Sequence, residues 1–278
     1  MKKTFLTIAI GLSSLIASAQ VLEIASMRQL TTPDEELKIA GISPTGDYLL
    51  LTDGGNTGLS RYDLQTNTMS TITDAQGAGW NVQISKDGET ITYRQVNIGN
   101  DKLVKQDVVQ YNLNTKRQMV LAKNQRDASQ LMDATSPYAV AINENLHMVL
   151  KHNGKTIVLT PNGKEQAYNW ASISPDGSKI LYYVSGMGCY VCDMEGKNVK
   201  QIAQHCRAPQ WYDNHTIIGM ADEDDGTYVT ASAIVVYTLT GQSQILIDKH
   251  MMAIYPYAVE GKVAFSTTHG DIYMLDVK

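Results

Sequence analysis

One segment returns along this chain about every forty residues, a period that belongs to propeller blades or solenoid units rather than to an ordinary layered domain. Ile42-Ser43-Pro44-Thr45-Gly46-Asp47-Tyr48-Leu49-Leu50 comes back as Ile84-Ser85-Lys86-Asp87-Gly88-Glu89-Thr90-Ile91 and as Ile173-Ser174-Pro175-Asp176-Gly177-Ser178-Lys179-Ile180-Leu181. Each copy reads strand, tight turn, strand: proline presets the second turn position and glycine accepts the positive φ that closes the hairpin. Weaker copies at Ala141 to Leu146, Gln210 to His215 and Ala258 to Val263 bring the total to six.

A second motif follows the first, an apolar strand ending in a polar turn, as in Tyr62-Asp63-Leu64-Gln65-Thr66-Asn67, Cys192-Asp193-Met194-Glu195-Gly196 and Tyr237-Thr238-Leu239-Thr240-Gly241. Each unit therefore holds four short strands. The second is often apolar throughout, as in Ile180-Leu181-Tyr182-Tyr183-Val184, which suits a strand covered on both faces. Helical periodicity is confined to a turn or two over Asp127 to Met132. Radial closure protects sheet edges from foreign pairing. The last unit stops after its third strand, while Met27-Arg28-Gln29-Leu30-Thr31 resembles the fourth-strand segment Met69-Ser70-Thr71-Ile72-Thr73. The expected fold is all-β: a six-bladed β-propeller of four-stranded antiparallel blades over residues 20–278, its last blade completed by an N-terminal strand.

Residues 1–19 read as a cleavable secretory leader, with Lys2 and Lys3 before an apolar run and Ala17-Ser18-Ala19 at its end. No cysteine follows the expected cleavage point, and no later apolar run approaches the ~20 residues of a membrane helix. A periplasmic or secreted bacterial protein is expected. The 23 basic and 28 acidic residues give a net charge of −5, and without the two leader lysines the balance is 21 to 28, about −7, which argues against a nucleic-acid partner. Cys189, Cys192 and Cys206 read either as packing residues or as one Cys192 to Cys206 bridge.

The stretch ending at Leu181, with its looser relatives, resembles the WD-like propeller repeat of TolB-type periplasmic proteins and of the propeller domain of dipeptidyl peptidase IV. The resemblance spans essentially the whole mature chain and implies protein-binding scaffolds, gates in front of a hydrolase, or lyases. Two departures count: no room is expected for the N-terminal α/β domain of a TolB-like protein, and no G-x-S-x-G elbow supports a peptidase.

In such a propeller the residues just before each inner strand ring one mouth of the channel. Counting back about five positions from each turn serine gives Lys38, Trp80, Tyr138 and Asn169 with Trp170 beside it; the last two blades offer Gln210 or Trp211, and Tyr255 or Tyr257. All three tryptophans fall at this place. They serve a partner that must bind in water, or they wedge between blades as core. The long connections Asn97 to Gln106, Lys123 to Ser136 and Ala221 to Thr230 map to the same face, and Asp222 to Gly226 reads as a solvated acidic tip. His152, His205, His250 and His269 map there too, and a metal-dependent lyase of related architecture uses histidines from several blades. Their spacings form no metal motif. The expectation is a monomeric, non-enzymatic scaffold without cofactor, metal or catalytic residues, binding an envelope protein or peptide, or a glycan. The alternative is a metal-dependent propeller lyase or hydrolase.

Overall fold

The computed structural model describes residues 21–126, 138–152 and 155–278. The leader and the helical turns expected over Asp127 to Met132 lie outside them. Six antiparallel sheets follow one another along the chain and form a six-bladed β-propeller with almost no helix. Blade 1 is β2 (Leu37–Ile42), β3 (Tyr48–Asp53), β4 (Leu59–Asp63) and β5 (Thr68–Thr73). Blade 2 is β6 (Gln83–Ile84), β7 (Thr90–Ile98), β8 (Val104–Asn112) and β9 (Gln118–Gln125). Blade 3 is β10 (Tyr138–Ile142), β11 (Met148–His152) and β12 (Lys155–Leu159). Blade 4 is β13 (Tyr168–Ile173), β14 (Lys179–Val184), β15 (Gly188–Asp193) and β16 (Lys200–Ala203). Blade 5 is β17 (Arg207–Trp211), β18 (Thr216–Asp224), β19 (Val229–Thr238) and β20 (Ser243–Ile247).

Blade 6 contains β21 (Ala253–Val259), β22 (Lys262–Thr267), β23 (Ile272–Val277) and, from the other end of the chain, β1 (Ile24–Thr31). β1 pairs antiparallel with β23, from Ile24 opposite Val277 to Thr31 opposite Ile272. Ser26 Oγ donates to Asp276 at 2.6 Å, and Arg28 reaches into blade 1, donating to Asn67 Oδ1 and the Leu64 carbonyl, each at 2.8 Å.

The second strand of each blade carries the core, because neighbouring blades cover it on both faces. Leu49, Leu50 and Leu51 of β3 and Ile180, Leu181 and Tyr182 of β14 are fully buried. Successive residues feed different cores: Leu49 and Leu51 pack against blade 6, whereas Leu50 packs against blade 2. Tyrosine hydroxyls cross the same seams, with Tyr48 donating to the Gly88 carbonyl at 2.7 Å and Tyr212 accepting from Gly261 N at 2.8 Å.

The first turns are built by their serines. Ser174 Oγ donates to Asp176 at 2.7 Å and accepts from Lys179 N at 2.9 Å, and Gly177 closes the turn at φ 74°. Ser43 and Ser85 repeat the arrangement in blades 1 and 2.

Two expectations need correction. Among the described residues blade 3 has three strands, because β12 runs into Thr160-Pro161-Asn162-Gly163, where proline has no N–H for a ladder. The supposed loops Asn97 to Gln106 and Ala221 to Thr230 are mostly strand, since β7–β8 and β18–β19 extend as long hairpins with tight turns at 99–103 and 225–228. Asp225 Oδ1 accepts from Thr227 N and Tyr228 N and so closes the second turn within four residues.

Candidate functional site

The inner strands β2, β6, β10, β13, β17 and β21 begin at one face and converge on a cavity of about 630 Å³ that residues of all six blades line, among them Ala40, Gln83, Tyr138, Trp170, Gln210 and Tyr257. A second cavity of about 610 Å³ opens toward the serine-turn face and shares Ala40, Val82, Gln210 and Tyr257, so the two belong to one axial channel.

Three inner strands break regularity at the same step, and in blade 2 the break falls at Asn81, two residues before β6 begins. Asn81, Trp170, Ala208 and Tyr255 have φ of 52°, 49°, 45° and 49°, and register shifts mark the strands of blades 4, 5 and 6 there. A left-handed backbone costs a residue with a Cβ about 1–2 kcal/mol, and a bulky side chain there is an outlier. The bulge turns the side chain off the ladder and toward the mouth. Trp170 is 36% exposed and Tyr255 47% exposed in consequence.

The expected ring is therefore split in depth. Tyr138, Trp170 and Tyr257 line the larger cavity together. Trp80, 59% exposed, adjoins the lining residue Asn81, and Tyr255 precedes the lining residue Tyr257 by two positions. Tyr257 lies deeper, where burial pushes its phenol up to about 12. Lys38 is half-buried and donates to Asn56 Oδ1 at 3.4 Å. Trp211 departs from the expectation: it is 7% exposed, packs with Leu181, Val191 and Ile217 between blades 4 and 5, and donates to the Ser172 carbonyl at 3.4 Å.

The reason is its place on the strand: Trp211 is the last residue of β17 and pairs with Ile217 beside the turn, as Ile173 pairs with Ile180. Ser174 N bonds to the carbonyl of Lys179, five residues on, but its counterpart Tyr212 bonds to that of Thr216, four residues on. Counting five back from Tyr212 gives Arg207, which the sequence reading missed. Arg207 donates to Asp222 at 2.5 Å, with the Asp222 side chain only 4% exposed and that of Arg207 39% exposed. Asp222 is thus not part of a solvated acidic tip. Around this pair, Asn169, Trp170, Tyr183 and His205 line a pocket of about 530 Å³ on the channel face. Trp170 meets Tyr183 edge-on at 5.3 Å, and Asn169 donates to Ser185 at 3.0 Å. A guanidinium has five donors, and the Asp222 contact uses one. The pocket therefore offers an aromatic face beside free N–H donors.

The histidines do not meet. His152 meets Tyr138 at a tilt of 46° with ring centroids 4.6 Å apart, His205 lines the Arg207 pocket, and His250 points into solvent beside Asp248. Among the described residues no three His, Cys, Asp or Glu side chains converge as metal ligands. The cysteines also part. Cys192 packs with Tyr168 and Tyr182 between blades 3 and 4, and Cys206 lies in the opposite seam with Cys189; of the two readings, packing or a Cys192 to Cys206 bridge, the structure has all three as free, buried thiols and sets the bridge aside. No described helix is long and apolar enough to cross a membrane.

No family model matches the chain, and no curated protein matches it in sequence. Among solved structures, a protein from Agrobacterium tumefaciens described as TolB aligns with TM-score 0.55 and 16% identity, covering 87% of this chain and 89% of its own. An oligogalacturonate lyase in complex with manganese aligns with TM-score 0.52 and 16% identity, covering 85% and 76%. The oligogalacturonate lyase of Vibrio parahaemolyticus gives 0.50 and 13%, covering 84% and 76%. These likenesses show the fold alone.

Proposed function

We propose that this protein is an exported, non-enzymatic propeller that holds a protein or peptide partner on the face where the inner strands begin. One observation carries the reading: Trp170, which lines the axial cavity, and Tyr255 are held partly exposed on equivalent left-handed bulges. Unfavourable backbone that presents large aromatics to solvent is the pattern of a binding surface, where such side chains supply contact area and tolerate water. The pocket at Arg207 adds directional donors beside Trp170. Export rests on the sequence of residues 1–19.

Photo-crosslinking in the intact cell tests the face. A benzoylphenylalanine placed at Trp80 or Tyr255 should give a discrete adduct, and one placed at Asn214 on the serine-turn face should not. Equal labelling from both faces, or none from Trp80 and Tyr255, removes the proposal. The lyase reading draws on the manganese-bound neighbour, and it prevails if untagged protein retains about one tightly held transition metal per chain.

A further inference from the structure

Cys189 and Cys192 are three residues apart on β15, so their side chains leave opposite faces of the strand. Cys189 and Cys206 are fully buried in one seam with Leu181, Trp211 and Ile217. The chain brings them together in a short path. Cys189 lies opposite Ala203 of β16, and the connector then turns through Gln204 and His205 to Cys206 before β17 begins. This connector presses on its neighbours: a Cβ on Gly188 would meet the Ala203 carbonyl at 2.2 Å and Gln204 Cα at 2.6 Å, and one on Gly219 would meet Cys206 Sγ at 2.5 Å. In the structure all three cysteines are free thiols, and Cys189 and Cys206 are the two that belong to one buried cluster.

We propose that Cys189 and Cys206 are the disulfide pair of this protein and Cys192 its free thiol. The bond would fasten the connector that carries His205 and Arg207 to blade 4, and so fix the Arg207 pocket against Trp170. Two S–H groups become one S–S bond. The two electrons pass to a disulfide acceptor, oxidised glutathione or an envelope thiol oxidant, which is reduced to its two thiols. The contact with Cys189 and burial both hold the Cys206 thiol above its ordinary range, so the bond forms while the chain folds rather than by attack on the closed seam. Its formation in the cell rests on the export reading above, but the choice of partners does not.

The full chain is refolded in a glutathione redox buffer, alkylated under denaturing conditions and mapped by peptide mass. One alkylated cysteine, Cys192, and one linked peptide containing Cys189 and Cys206 are expected. Reductant should then lower Tm by about 5–10 °C in the parent and in Cys192→Ala, and leave Tm of Cys189→Ala and Cys206→Ala unchanged. Three alkylated cysteines after refolding, or a link through Cys192, would overturn the pairing. Protein recovered from whole cells gives the separate answer: three thiols there, with the linked peptide after refolding, would count against export and for the pairing.

Discussion

Asp176 shows how one side chain couples a turn to pH. The Ser174 hydroxyl donates to its carboxylate and, with the Ser178 N–H and hydroxyl, lowers it from 3.8 to about 2 against the opposing effect of burial, which ranks second after Ser174. A carboxylate depressed by folding stabilises the native state above its unfolded pKa and loses that contribution as pH falls through the folded one. Stability should therefore decline between about pH 4 and pH 2, and Asp176→Asn should flatten that decline while lowering the urea midpoint at pH 7. A mutant with the parent's acid profile would show that the turn carries no such linkage. At the same scale the tryptophans separate. Trp211→Ala opens a cavity in the seam of blades 4 and 5 and should cost about 3–5 kcal/mol. Trp80→Ala should stay within about 0.5 kcal/mol by urea denaturation while weakening partner capture.

Elements were legible where turn chemistry is specified. Ser-Pro-Asp-Gly and its variants placed the first hairpins of blades 1, 2 and 4, because serine hydroxyl, aspartate carboxylate and glycine φ act within six residues. In blade 5 the repeat is degraded to Gln210 to His215, so the candidates fell at the turn end of β17 and Arg207 at its start was missed. The bulges were not legible, since nothing in Asn169-Trp170-Ala171 announces a left-handed tryptophan; the ladder on either side imposes it. Blade 3 shows the opposite failure, a strand inferred from the repeat that the turn after Leu159 does not supply. β12 therefore ends its sheet among the described residues with Ile157 and Val158 exposed, and Val158→Lys should leave Tm unchanged while slowing aggregation on heating, measured by light scattering. Faster aggregation would mean that this edge is covered.

At the scale of the molecule, blade 6 is made from both ends of the described chain, so the outer edge of β23 depends on β1. Removing residues 1–31 should lower Tm by about 10 °C or more by exposing that edge, whereas removing 1–19 should leave it unchanged; equal melting of the two would show that the ring stands without its latch. The number of blades, the all-β class and the first-hairpin turns of blades 1, 2 and 4 followed from the sequence alone, because they depend on hydrogen bonds and φ preferences between residues a few positions apart. The left-handed bulges, the pairing of Arg207 with buried Asp222 and the sorting of the cysteines into different seams came only with the tertiary structure. Each depends on which side chain faces which blade, and a slip of one residue in a strand exchanges those faces.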